Sequence, residues 1–186
     1  TGSASEAEYL EIGVAERPEP AKVAEALDRA LPGGLDVLEV VEAGPGSLAD
    51  RLQASEWKVL LAEVTVADAE TAVTDLLARE EFVVERLTKS GLRRFDVKPA
   101  LVRLAAGSDG SAGDRPCAIL RMVVRHTVPA VRPDDVLSAL RLVAGLTPPV
   151  PPQVTRLAQG PLDEDTGTVA DPLAADRHRG AHVAGA

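Results

Sequence analysis

Two apolar runs, Trp57 to Val66 and Ala118 to Val128, each lead into a segment whose apolar residues recur every three or four positions. After the first run these are Ala69, Val73, Leu76 and Leu77, with Thr65 or Asp68 as the cap. After the second they are Val136, Leu137, Leu140 and Val143, with Pro133 at the start and Gly145 at the end. A run of strand type passing into helical period, twice in one chain, constrains the fold most, because each half buries its apolar side only against the other.

The residues between and after these units complete the plan. Phe82 to Leu87 and Arg93 to Leu104 read as a strand pair joined near Ser90 and Gly91, where glycine favours a tight turn. Pro99 lacks an amide donor and marks an edge or bulge in the second strand. Ala105 to Pro116 is rich in Gly, Ser and Asp and is expected to be a mobile loop. Pro148 to Pro152 is a stiff linker, and Gln153 to Leu157 one short closing strand. The order β-α-β-β-β-α-β is a ferredoxin-like plan with one strand extra.

The first forty residues resemble half of the same plan. Glu8 to Val14 predicts a strand, Val23, Ala26, Leu27, Ala30 and Leu31 a helix behind Pro20, and Leu35 to Val41 a second strand. Ser47, after the Gly44-Pro45-Gly46 turn, caps a short helix bearing Leu48 and Leu52. The expected fold class is α+β, with ferredoxin-like β-α-β units, antiparallel sheets and helices packed on one face. The expected organisation is a half-domain at 1–46, an α+β domain at 47–159 and a disordered tail at 160–186, where apolar periodicity is absent. A lone β-α-β unit leaves an open sheet edge, which a homodimer would cover.

Aromatic residues make up 2% of the 186: Tyr9, Trp57, Phe82 and Phe95. The core is therefore aliphatic. Cys117 is the single cysteine, which excludes an internal disulfide and favours a cytoplasmic setting and an inert, buried thiol. No stretch approaches the roughly 18 apolar residues of a membrane span. The net charge of −9 disfavours a general polyanion binder.

Against that negative balance, Arg86 to Arg103 holds Arg86, Lys89, Arg93, Arg94, Lys98 and Arg103 against Asp96 alone, a local charge of +5. Arg121 and Arg125 share a face of the later strand. If the strands adjoin, these eight residues form a basic surface for phosphates or an acidic partner. The alternative is a solvated hairpin neutralised by the protein's own carboxylates. Aromatic rings for base stacking are nearly absent from the patch.

No constellation for catalysis or metal binding stands out. His178 and His182 have i, i+4 spacing but lie in a Gly- and Ala-rich tail without a cysteine nearby. His126 ends a strand and reads as a structural histidine. The acidic residues are dispersed, and the glycines at 107–113 lack the strand-to-helix context of a phosphate loop. No cofactor and no metal are expected. An enzyme acting on RNA or a small molecule would have to rely on Asp96 or His126.

Several strings in order carry a family likeness: residues 5–12 (SEAEYLEI), 31–39 (LPGGLDVLE), 95–99 (FDVKP), 132–137 (RPDDVL) and 154–160 (VTRLAQG). Over about residues 3–160 the chain resembles the bacterial radical-SAM-linked protein family, a domain of unknown function. It is similar to stand-alone members from high-GC actinobacteria, in keeping with 16 Arg against 4 Lys. The resemblance implies a non-catalytic accessory protein that partners a radical SAM enzyme, in RNA modification or maturation. It supplies no catalytic residues. Members usually begin with a further β-α-β stretch, and none precedes residue 8 here, so the resemblance implies that any site built on that stretch is missing. A stand-alone RNA-binding module is the alternative.

Overall fold

The computed structural model describes residues 3–89, 91–108 and 115–177. The chain divides into two compact units. One comprises residues up to Glu8 together with Leu52–Ala170; the other comprises Tyr9–Arg51 together with the segment from Asp171.

The larger unit is built on a five-stranded sheet. Its strands are β1 (Ala4–Ser5), β2 (Ala54–Ala62), β5 (Leu101–Gly107), β6 (Cys117–Arg125) and β7 (Gln153–Gly160), in spatial order β1-β7-β2-β6-β5. β2, β5, β6 and β7 pair antiparallel, and β1 adds to β7 in parallel. With α3 (Val66–Leu77) after β2 and α4 (Pro133–Ala144) after β6, this is the ferredoxin-like arrangement expected from the two β-to-helix transitions. The fold is α+β, dominated by antiparallel sheet.

The helices start where the sequence places their caps. Thr65 Oγ1 accepts from the Asp68 amide at 3.1 Å and starts α3. At α4 the Asp135 carboxylate reaches back to the Arg132 amide at 2.8 Å, and Gly145, at φ 67°, closes the far end. Both helices bury their apolar stripe on one face of the sheet. Val73, Leu76, Val136 and Leu140 meet Val59, Leu61, Leu120 and Met122, and all but Val73 are essentially inaccessible. Trp57 belongs to this face too, with the Arg156 guanidinium 4.6 Å from its ring centre.

The extra strand pair does not join that sheet. β3 (Val83–Thr88) and β4 (Gly91–Asp96) form a separate two-stranded ribbon. The sequence reading ran the second strand through Pro99 to Leu104. Instead Lys98–Ala100 is a 3-10 turn that ends β4 and starts β5 as an edge strand. Pro99 lacks a ladder donor, and the Asp96 carboxylate accepts from the Phe82 and Lys98 amides, which fixes the break.

The smaller unit departs from expectation. α1 (Pro20–Ala30) forms as predicted, but Glu8–Val14 and Leu35–Val41 are not strands. Alternating apolar residues suffice for a strand only where a neighbour supplies ladder hydrogen bonds, and none does so here among the described residues. No sheet edge therefore exists at 8–43. α1 buries no residue, and Leu10, Ile12, Val14, Leu35 and Leu38 are exposed. Polar contacts organise this unit instead. Arg51 donates to Asp176 at 2.6 Å and to the Pro172 carbonyl at 2.9 Å, and Asp176 also accepts from the Gly44 amide. α2 (Leu48–Arg51) opens with the Glu11 carboxylate accepting the Leu48 amide, while Ser47 Oγ takes the next amide.

The segment expected to be disordered from 160 onward is ordered through 177. β8 (Leu162–Asp163) and β9 (Thr168–Val169) pair around a turn in which Asp163 accepts the amides of Asp165 and Thr166, and a helical turn follows at 174–177. Local side-chain capping of this kind needs no apolar period, which is why periodicity misses it. Ser90, residues 109–114 of the expected loop, and His178 and His182 lie outside the described residues, while the start of that loop belongs to β5.

Candidate functional site: a cationic ribbon

The register of β3 and β4 decides what the basic segment is. Arg86 stands opposite Arg93, Glu85 opposite Arg94, and Leu87 opposite Leu92. Opposed residues share a face, so Val84, Arg86, Thr88, Arg93 and Phe95 form one side and Glu85, Leu87, Leu92 and Arg94 the other. The first side turns toward α4. Arg86 lies over the Phe95 ring at 4.9 Å and donates to Asp135 at 2.7 Å and to the Ala130 carbonyl at 3.0 Å. The second side is open, with Leu87 79% and Leu92 66% exposed.

The eight basic residues expected to form one surface fall into three groups. Arg86 and Lys98 are structural. Lys98 leaves the strand for the 3-10 turn, where its ammonium meets the Arg79 carbonyl and lies 5.3 Å from the Phe82 ring. Arg103, Arg121 and Arg125 belong to the five-stranded sheet, not to the ribbon. Arg103 and Arg121 approach Glu56 at 3.4 and 3.9 Å, and Arg125 is paired with Glu164. The hydrogen bond between that last pair raises the affinity of Arg125 for its proton and holds the Glu164 carboxyl below its usual range. Lys89, Arg93 and Arg94 remain, exposed and without a carboxylate partner among the described residues.

The expectation that all eight lie on adjoining strands is therefore corrected. Ribbon and sheet are separate, and four of the eight cations, Arg86, Arg103, Arg121 and Arg125, meet carboxylates distant in sequence. One cation was missed. Arg132, ahead of α4, is exposed, and together with Arg86, Leu87, Thr88 and Lys89 it lines a cavity of about 520 Å3. Its position at the start of a helix hid it, because nothing in the sequence places that end beside the ribbon.

The chemical groups singled out for catalysis are engaged structurally. His126 Nδ1 lies 2.6 Å from the Leu52 carbonyl, which makes it the donor nitrogen. Nε2 then accepts from Ser55 Oγ at 2.8 Å. This is nucleophile-to-base spacing, but Ser55 is buried, at 1% exposure. The pair closes the end of the sheet, where the Gln53 carbonyl accepts the His126 amide. Asp96 is occupied by two backbone amides. Among the described residues no three His, Cys, Asp or Glu side chains gather as metal ligands, and no helix is long and apolar enough to cross a membrane.

Fold and site define an α+β protein in which a separate cationic ribbon is inserted in sequence between α3 and β5 of a ferredoxin-like arrangement. The chain belongs to an uncharacterised family of proteins conserved in bacteria, DUF2344, whose family model matches residues 1–133. The match covers the ribbon and Arg132 and stops at the first residue of α4. No curated protein and no solved structure matches the chain.

Proposed function

We propose that this chain is a non-catalytic accessory protein that docks an acidic partner protein on the outer side of the β3–β4 ribbon. The observation that carries this is the pairing of Leu87 with Leu92, both largely exposed, beside Arg94. Two adjacent leucines held in water on a rigid hairpin are an unfavourable arrangement for an isolated surface, whereas an apolar centre with a charged rim is the usual composition of a contact patch. Arg94 forms no ion pair among the described residues even though Glu85 stands directly across the ribbon, so it is available to a partner's carboxylate. The family likeness points to a radical SAM enzyme as that partner and to RNA modification or maturation as the setting.

Direct RNA binding is the second reading, supported by the same cations. The aromatic rings oppose it: Phe95 lies under Arg86 and Phe82 is buried, so neither offers a face to a base.

Co-purification of the full chain with a radical SAM enzyme from the same cell tests the proposal. L92D and R94E, both at exposed positions, are expected to abolish association while leaving the fold unchanged. Association that survives both substitutions would overturn the docking site. Association that nuclease removes but L92D does not would assign the surface to RNA.

A further inference from the structure

The inner side of the same ribbon presents a different problem. Arg86 and Arg93 are directly opposed across the strands, a like-charge pairing that weakens a two-stranded ribbon. Lys89 and Arg132 add two more positive groups, both lining one cavity with Arg86. Against these four cations the described residues supply one engaged carboxylate, Asp135, which is already committed to Arg86 and to the Arg132 amide. Asp134, exposed on the same helical turn, forms no ion pair among the described residues. The carboxylates of a chain with net charge −9 are abundant, yet among the described residues Asp135 alone is brought into contact with these cations.

From this geometry we infer a binding site for a phosphate group, carried by a small molecule or by the end of a nucleic acid strand, in the space between the end of β3 and the start of α4. The site goes beyond the docking role: it is centred on Arg86, Lys89 and Arg132, and Leu87 at its margin is its one residue in common with the docking side. Arg86 is held rigidly by Asp135, the Ala130 carbonyl and Phe95, so it forms a fixed wall. Lys89 and the Arg132 guanidinium are the free donors that close on the anion. The space, an open depression of about 520 Å3, is roomy enough for a phosphate group and leaves it in contact with solvent. Its lining contains no aromatic ring, so a base is not what it selects. A doubly charged oxyanion meets the need, because one ligand neutralises two cations that no carboxylate reaches among the described residues.

Calorimetric titration of the full chain with inorganic pyrophosphate at low salt tests the site. Wild type is expected to bind. K89A/R132A, which removes two exposed side chains, is expected to weaken binding by about tenfold or more, the loss expected for removing charge-assisted hydrogen bonds. L92D is expected to bind as wild type does, which separates this site from the docking face. A 5′-phosphorylated oligonucleotide that binds more tightly than pyrophosphate would assign the phosphate to a strand end, and the reverse order to a free small molecule; both uphold the site. Lack of binding by wild type at millimolar pyrophosphate, equal binding by K89A/R132A, or equal affinity for the dephosphorylated oligonucleotide would overturn it.

Discussion

Arg86 on β3 reaches Asp135 in the first turn of α4 at 2.7 Å, and this contact joins the ribbon to the helical layer. Asp135 is nearly buried and Arg86 mostly so, with side-chain exposures of 6% and 22%. Removing Arg86 leaves a carboxylate out of water with the Arg132 amide as its remaining partner. Arg86→Ala is therefore expected to destabilise the protein by about 2–3 kcal/mol, and the R86A/D135N double variant by less than the sum of the single changes. Urea unfolding followed by the fluorescence of Trp57, the sole tryptophan, measures both.

α4 offers an internal comparison between its two sides. Leu140 is fully buried and Leu142 is 64% exposed. Leu140→Ala should cost about 3 kcal/mol through lost burial and the cavity left behind. Leu142→Ala should stay within about 0.5 kcal/mol of wild type. Equal unfolding midpoints for the two variants would contradict the helix orientation.

Gly91 closes the ribbon with φ 110°, a conformation side chains rarely adopt. Gly91→Ala should weaken the ribbon by about 1–2 kcal/mol. Hydrogen exchange at β3 and β4 amides should accelerate while β2 and β6 keep their protection, since the two sheets share no ladder.

Acid should loosen the smaller unit through Glu39. Its hydrogen bonds from Arg177 hold the carboxyl below the ordinary glutamate value of 4.5, against a smaller opposing effect of burial. A lowered folded-state pKa means the stabilisation is present above the unfolded value and is lost as pH falls through the folded one. The unfolding midpoint of Glu39→Gln should therefore lie below that of wild type near neutrality, and the gap should close as pH falls through the lowered folded-state value. A gap that persists at lower pH would show that Glu39 acts through shape, not charge.

Local signals were legible where a residue's role depends on its near neighbours in the chain. Thr65, Pro133 and Gly145 mark helix ends through bonds spanning a few residues, and Gly91 marks the ribbon turn. The strands at 8–14 and 35–41 were misread because alternation describes a side-chain pattern, whereas a strand requires a second backbone. The hairpin of β8 and β9 went unseen for the opposite reason, since Asp163 builds it without apolar residues.

Periodicity and punctuation by themselves determined the aliphatic core, the order of its strands and helices, and the presence of a positive segment in a negative chain. Only the tertiary structure decided which of those charges are available. Arg86 finds Asp135 49 positions away and Arg125 finds Glu164 39 positions away, while Lys89, Arg93 and Arg132 find none among the described residues. An ion pair forms between groups within a few ångströms, and that proximity is created by packing after the local elements exist.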